Sequence, residues 1–278
     1  MPYDAEISRN NPSCFLFLID QSGSMDEKIP AIGKSKAQFV ADVLNKTLYQ
    51  LTIRCGRADG VRNYFEIGVL VYGDNTVRSG FGGELSGSVI HPISAVADHP
   101  LRVEERIKTV DDGAGGFIKQ GTKFPIWFEP VMSGNTPMCA VFRQVAEVLV
   151  DWCDRHPDSY PPIIIHVTDG QSTDGDPELI TDQVKLIATH NGDCLVFNLH
   201  VDTSDVEPVV FPVTESALPD QFGKMLFRMS SPIPPNLLPV ARDYYAGTAD
   251  GARFLAYKAG IEAIVDFFVI GTRASNLR

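Results

Sequence analysis

The residues of this chain best suited to chemistry begin where an apolar run stops. In FLFLIDQSGSM, residues 15–25, the run ends at Asp20, and Ser22 and Ser24 follow at alternate positions with Gly23 between them. Two more oxygen donors stand at comparable junctions. Thr136 lies in SGNTP, just before a helical pattern, and Asp169 follows the apolar run IIIHVT. A hard divalent cation takes such donors, and Mg²⁺ in particular is usually held by one or two carboxylates while it keeps several waters. Spacing by two in a tight turn brings alternate side chains to one side, and Gly23 frees the backbone to make that turn. We therefore expect Asp20, Ser22, Ser24, Thr136 and Asp169 to form a metal site for Mg²⁺, with Mn²⁺ and Ca²⁺ as the other candidates.

The elements that must position these residues alternate. Cys14–Ile19 reads as a strand buried on both faces. Residues 28–51 read as a helix, with Ala37, Val40, Leu44, Leu48 and Leu51 on one stripe. YFEIGVLVYG, 64–73, is a second strand, and NTVRSGF, 75–81, returns beside it as an antiparallel edge. Residues 82–126 are glycine-rich at both ends, with a short helix expected at RVEERIKTV, and are long for a connection. A helix follows Thr136-Pro137, then the strand PPIIIHVTDG, a helix from Asp176 to Gly192, and the strand CLVFNLHVD at 194–202. Residues 205–247 are mixed, and 252–271 read as a closing helix. This alternation predicts an open, mostly parallel sheet with helices on both faces, whose ligands bind beyond the carboxyl ends of the strands.

Bulk properties narrow the partners. Of 278 residues 44% are hydrophobic and 21% charged, which is a globular balance. The formal net charge of −11 disfavours nucleic acid and anionic membrane surfaces. The five cysteines are scattered and form no C-x-x-C, so we expect reduced, buried thiols and a cytoplasmic protein. Residues 1–12 have neither a basic start nor an apolar stretch, and no secretion signal is expected.

The D-x-S-x-S of Asp20, Ser22 and Ser24, the Gly134-Asn135-Thr136-Pro137 loop and the Thr168-Asp169-Gly170 turn resemble, in order and spacing, the metal-ion-dependent adhesion site of von Willebrand factor type A domains. The resemblance covers about residues 13–270 of a single domain spanning 1–278, with an insertion at about 82–126. FPIWFEPVMSGNTPM and PPIIIHVTDGQSTDGDP look most like bacterial cytoplasmic members of tellurite-resistance or stress-type operons. The resemblance implies a doubly wound, Rossmann-like α/β fold with a six-stranded sheet of order 3-2-1-4-5-6 and strand 3 antiparallel. It implies that Ser22 and Ser24 bind the metal directly, and that Thr136, Asp20 and Asp169 bind directly or through water. The last coordination position is left for an Asp or Glu of a partner protein, in some members within a larger complex. That mechanism is recognition, not turnover.

Each residue also has a plainer reading. Thr136 alone is a helix cap, Asp169-Gly170 a strand-ending turn, and Asp174 and Asp176 turn and cap acids. His166 reads as a packed histidine, Trp127 and Phe128 as anchors of the insertion, and Asp26 and Glu27 as a solvated first turn rather than a second cation site. DDGAGG, 111–116, reads as a loop, since it has no Lys-Ser/Thr of a phosphate cradle. The rival function is a metal-dependent phosphohydrolase on a similar sheet. A haloacid-dehalogenase-type enzyme needs an acid two residues after its first aspartate, and here that residue is Ser22. No G-x-S-x-G surrounds a serine of this motif, and no His or Cys stands beside it. A scaffold with an empty site is the third reading.

Overall fold

The computed structural model describes residues 3–111, 117–204 and 206–273. Its centre is β1 (Ser13–Asp20), every residue of which is buried. Side chains alternate across a strand, and β1 feeds two cores. Phe15, Phe17 and Ile19 pack on one face with Val40, Leu44, Leu48, Phe267 and Phe268. Cys14, Leu16 and Leu18 pack on the other with Val141, Phe142, Val145 and Leu226. A strand covered on both faces has no polar side, which is why its sequence reads as an unbroken apolar run.

α1 (Lys36–Cys55) follows, then β2 (Phe65–Gly73) parallel to β1 and β3 (Thr76–Ser79) antiparallel to β2. The short β4 (Ile90–Pro92) also pairs with β2, and α2 (Ile93–Asp98) leads into a two-stranded ribbon, β5 (Arg102–Asp111) with β6 (Phe117–Ile126). α3 (Met138–Arg155), β7 (Ile163–Thr168), α4 (Glu178–Lys185) and β8 (Leu195–Val201) come next. β9 (Val209–Val210), α5 (Gln221–Met229), α6 (Leu238–Tyr244), β10 (Leu255–Ala259) and α7 (Ile261–Gly271) complete the described chain. The sheet runs β9-β10-β8-β7-β1-β2-β3, with β4 beside β2. Six of its strands, β10-β8-β7-β1-β2-β3, hold the order expected from the resemblance, with β3 antiparallel, but the sheet has eight strands rather than six. The added β4 and β9 are short antiparallel strands on β2 and β10.

Four local expectations are corrected. Residues 28–35 form a loop closed by a Lys28–Ser35 bridge, and α1 begins only after Ser35. There the Ser35 hydroxyl accepts from the Gln38 N–H and the Gln38 side chain accepts from the Ser35 N–H, a capping box that sets the true start. RVEERIKTV is a strand, not a helix. Glu104 and Arg106 turn toward α1, while Val103, Glu105 and Ile107 face solvent, a period of two. α4 ends at Lys185, because Asn191-Gly192 turns a small ribbon, Ala188–Thr189 with Gly192–Asp193, instead of closing a helix. The stretch 252–271 divides into β10 and α7 at Gly260. A short apolar run fits strand and buried helix alike, and the free sheet edge of β8 decided between them. Trp127 and Phe128 are buried in the core as expected, and the Asn45 side-chain oxygen accepts both of their backbone N–H groups.

Candidate metal centre

β1 has β2 on one side and β7 on the other, so the chain order reverses between β1 and β7. Their register places Ile19 beside Val167, which brings Asp20 and Thr168 together at the carboxyl edge, with Asp169 one residue beyond. This is the crevice where doubly wound sheets bind ligands.

Four of the five expected residues join one hydrogen-bonded arc. Asp20 accepts the Ser22 N–H at 2.8 Å on Oδ1 and the Thr168 hydroxyl at 2.7 Å on Oδ2. The hydroxyls of Ser22 and Ser24 lie 3.1 Å apart, and Ser24 donates to Asp169 Oδ1 at 2.6 Å. The loop carrying Thr136 is stitched to this arc by backbone. Gly23 N–H donates to the Gly134 carbonyl at 3.0 Å, and Ser133 N–H donates to the Gln21 carbonyl at 2.8 Å. Gly134 has φ +65°, and a Cβ there would stand 2.6 Å from the Asp74 Cα, so the close approach of this loop to the β2–β3 turn requires glycine. Thr136 is buried, and its N–H and carbonyl bond to Thr173. Among the described residues its hydroxyl has no hydrogen-bond partner, and the structure does not tie it to the four-residue arc.

Burial raises the Asp20 carboxyl to about 6, against the opposing pull of hydrogen bonds from Ser22 and Thr168. Asp20 keeps lone pairs beyond the two it uses. Asp174 and Asp176 are cap acids, as expected: Asp174 accepts the N–H groups of Cys139 and Ala140 at the start of α3, and Asp176 accepts that of Glu178. Most of DDGAGG, residues 112–116, lies outside the described residues. No three of His, Cys, Asp and Glu gather as a metal-holding cluster among the described residues. A cation here would depend on hydroxyls as much as on carboxylates, and two carboxylates with neutral oxygens fit a hard divalent ion.

Two residues of the site were not singled out from sequence. Thr168 stands inside the quoted Thr-Asp-Gly turn, but its part in orienting Asp20 depends on the β1–β7 register. Lys36 sits in the first turn of α1, where a cation opposes the helix dipole, and that misplacement was a usable signal. Its ammonium lies 3.1 Å from Asp169 Oδ2 and 2.5 Å from Glu27. Glu27 is thus paired rather than simply solvated, and this lowers its carboxyl below the usual range.

No protein-family model matches the chain. No curated protein matches it. Solved structures do. The pilus adhesin SpaC of Lactobacillus rhamnosus GG is 14% identical with a TM-score of 0.44, over 82% of this chain and 28% of the adhesin. The vWF domain of the type V pili tip protein Mfa5 of Porphyromonas gingivalis is 14% identical with a TM-score of 0.30, over 58% of this chain and 39% of that one. A structure of three N-terminal domains of Mfa5 gives 14% and 0.30, over 58% of this chain and 20% of that one. The chain spans well under half the length of these structures. With scores this low, the fold rests on the strand order and register described above.

Proposed function

We propose that this chain is a recognition module in which a divalent cation, Mg²⁺ first and Mn²⁺ or Ca²⁺ as alternatives, is held by Asp20, Ser22, Ser24, Thr136 and Asp169. A bound cation would offer a Lewis-acidic position to the carboxylate of an Asp or Glu on a partner protein. The observation that carries this reading is the arc Asp20–Ser22–Ser24–Asp169, assembled at the switch point of the sheet from two segments 145 residues apart. The role is binding without turnover. Among the described residues the buried His166 bonds Tyr72 and Asn198, and His200, which stands beside Asp169, accepts the Lys258 N–H at Nδ1. We place the protein in the cytoplasm, in keeping with five free, buried cysteines, and read it as a subunit of a larger, stress-type complex.

The test is affinity capture from lysate of the source organism, with wild type and Asp20→Ala side by side, each in Mg²⁺ and in EDTA. A partner retained only by wild type in Mg²⁺ is the expected result. Equal retention in all four conditions overturns the reading and moves attention to the β5–β6 ribbon. Calorimetric titration of Mg²⁺ into both proteins checks the cation itself.

A further inference from the structure

The polar edge of the sheet contains a cation of its own. The Lys36 side chain is 7% exposed and the Asp169 side chain 0%, so their contact at 3.1 Å is shielded from solvent on both sides. Its second partner, Glu27, is exposed and joined to Lys36 twice, through the ammonium and through the Lys36 N–H, which donates to the Glu27 carbonyl at 2.9 Å. The buried ammonium has a carboxylate on each of its two sides, Glu27 and Asp169. The geometry divides Asp169 between two tasks. Oδ2 faces Lys36, and Oδ1 faces the Ser24 hydroxyl, toward Ser22 and Asp20.

We infer that Lys36 tunes the charge of the proposed cation site: its buried ammonium, whose second partner Glu27 is exposed to solvent, partly offsets Asp169 from behind, so that a bound divalent ion keeps part of its positive charge for an external carboxylate to relieve. This deepens the proposed function and rests on it. Two buried carboxylates without the lysine would balance a divalent ion fully and reduce its need for an acidic partner. With Lys36 present the ion is held more weakly and is more demanding of an outside anion. The same lysine serves the metal-free protein, where Asp20 and Asp169 repel each other. A purely structural lysine would act differently, because its loss would free Asp169 to drift and weaken the cation.

The experiment uses Mn²⁺ as the probe, followed by electron paramagnetic resonance, with acetate as the test carboxylate. Wild type, Asp20→Ala, Lys36→Met, Lys36→Arg and Glu27→Gln are compared, with circular dichroism to show that each is folded. Lys36→Met is expected to bind Mn²⁺ about tenfold more tightly than wild type, since a nearby positive charge is gone from a shielded site. Its Mn²⁺ affinity gains less from acetate, and its metal-free melting temperature falls. Lys36→Arg keeps the wild-type values. Glu27→Gln, a change at an exposed side chain, removes a negative charge and weakens Mn²⁺ binding a few-fold. If Lys36→Met is too unstable to titrate, Glu27→Gln decides the question alone, and an unchanged affinity there counts against the inference. A folded Lys36→Met with wild-type or weaker affinity overturns the inference and leaves the proposed function standing. Wild type that binds no Mn²⁺, or binds it no better than Asp20→Ala, overturns both.

Discussion

Two buried polar clusters share the same sheet and behave in opposite ways. One lies at the carboxyl edge, Asp20–Ser22–Ser24–Asp169–Lys36. The other lies deeper, on the face covered by α3 and α5. There the Tyr72 hydroxyl and His166 Nε2 are 2.6 Å apart, His166 Nδ1 and Asn198 Oδ1 are 2.8 Å apart, and Asn198 Nδ2 donates to Ser230 Oγ at 2.9 Å. Ser230 in turn donates to the Leu226 carbonyl at 2.7 Å. Because the Asn198 amide donates to Ser230, its oxygen faces His166. That assigns the proton to Nδ1 and leaves Nε2 to accept from Tyr72. Every member is neutral and satisfied, and Tyr72, His166, Asn198 and Ser230 are sealed from solvent. The edge cluster is charged, and Ser24 opens it to solvent. The two meet along the β1–β2 pairing, where Asp20 stands in register beside Tyr72. The contrast teaches that burial alone does not mark a functional group. The sealed network is closed to solvent at every member, whereas the edge cluster holds charges and reaches solvent at Ser24.

Mutations at the two clusters should therefore separate binding from stability. The largest effect is expected from Asp20→Asn. Cation affinity should fall roughly a thousandfold, more than the 10–100-fold typical of outer-shell partners. Metal-free stability by urea unfolding should hold or rise, because a neutral amide replaces a carboxylate that burial disfavours. A collapse of the fold here would erase the contrast.

The converse is Asn198→Leu, of similar volume, which leaves the His166 Nδ1–H without its acceptor and the Ser230 oxygen without its donor. It should cost about 3 kcal/mol in urea unfolding, since buried donors and acceptors left unmade cost ~1–3 kcal/mol each. Mg²⁺ affinity of the folded fraction should stay at the wild-type value.

The pH dependence sharpens the comparison, because burial shifts the two titratable groups in opposite directions. His166 is pushed from 6.5 down to about 4. The unfolded chain therefore binds the extra proton first, and stability present above the unfolded value is lost as pH falls from 6.5 toward 4. The integrated loss is about 3 kcal/mol. A His166→Gln variant should lack that part of the acid limb. Asp20, raised to about 6, has the reverse sign: its contribution is present at low pH and lost as pH rises through that value. Asp20→Asn should remove that decline from the metal-free protein.

The smallest effect is expected at Thr136→Val. Its hydroxyl has no protein partner among the described residues, so stability should change by no more than about 0.5 kcal/mol. Cation affinity should fall about fivefold, well short of the loss at Asp20. A loss as large as that at Asp20 would instead put Thr136 on a par with the carboxylates.

Much of this was legible in the chain. The apolar runs of β1, β7 and β8 gave their own positions, because a strand covered on both faces is mostly apolar, here interrupted by the buried His166, Asn198 and His200. Asp20 and Asp169 could be placed because each stands where such a run ends. What failed to read were segments whose pattern fits two periods. RVEERIKTV satisfies a helix and a strand equally until the ribbon pairs it, Arg102 against Ile126 and onward. Leu255–Ala259 merges into the apolar helix behind it until β8 and β9 claim it on either side.

The sequence by itself determined which oxygen donors exist and that they lie at strand and helix ends, since those follow from local pattern and turn chemistry. Only the tertiary structure decided which of them face one another and what charge they face. The Lys36–Asp169 pair joins residues 133 positions apart. Their meeting depends on where α1 starts and on how β7 registers with β1, and neither of these is encoded within reach of either residue.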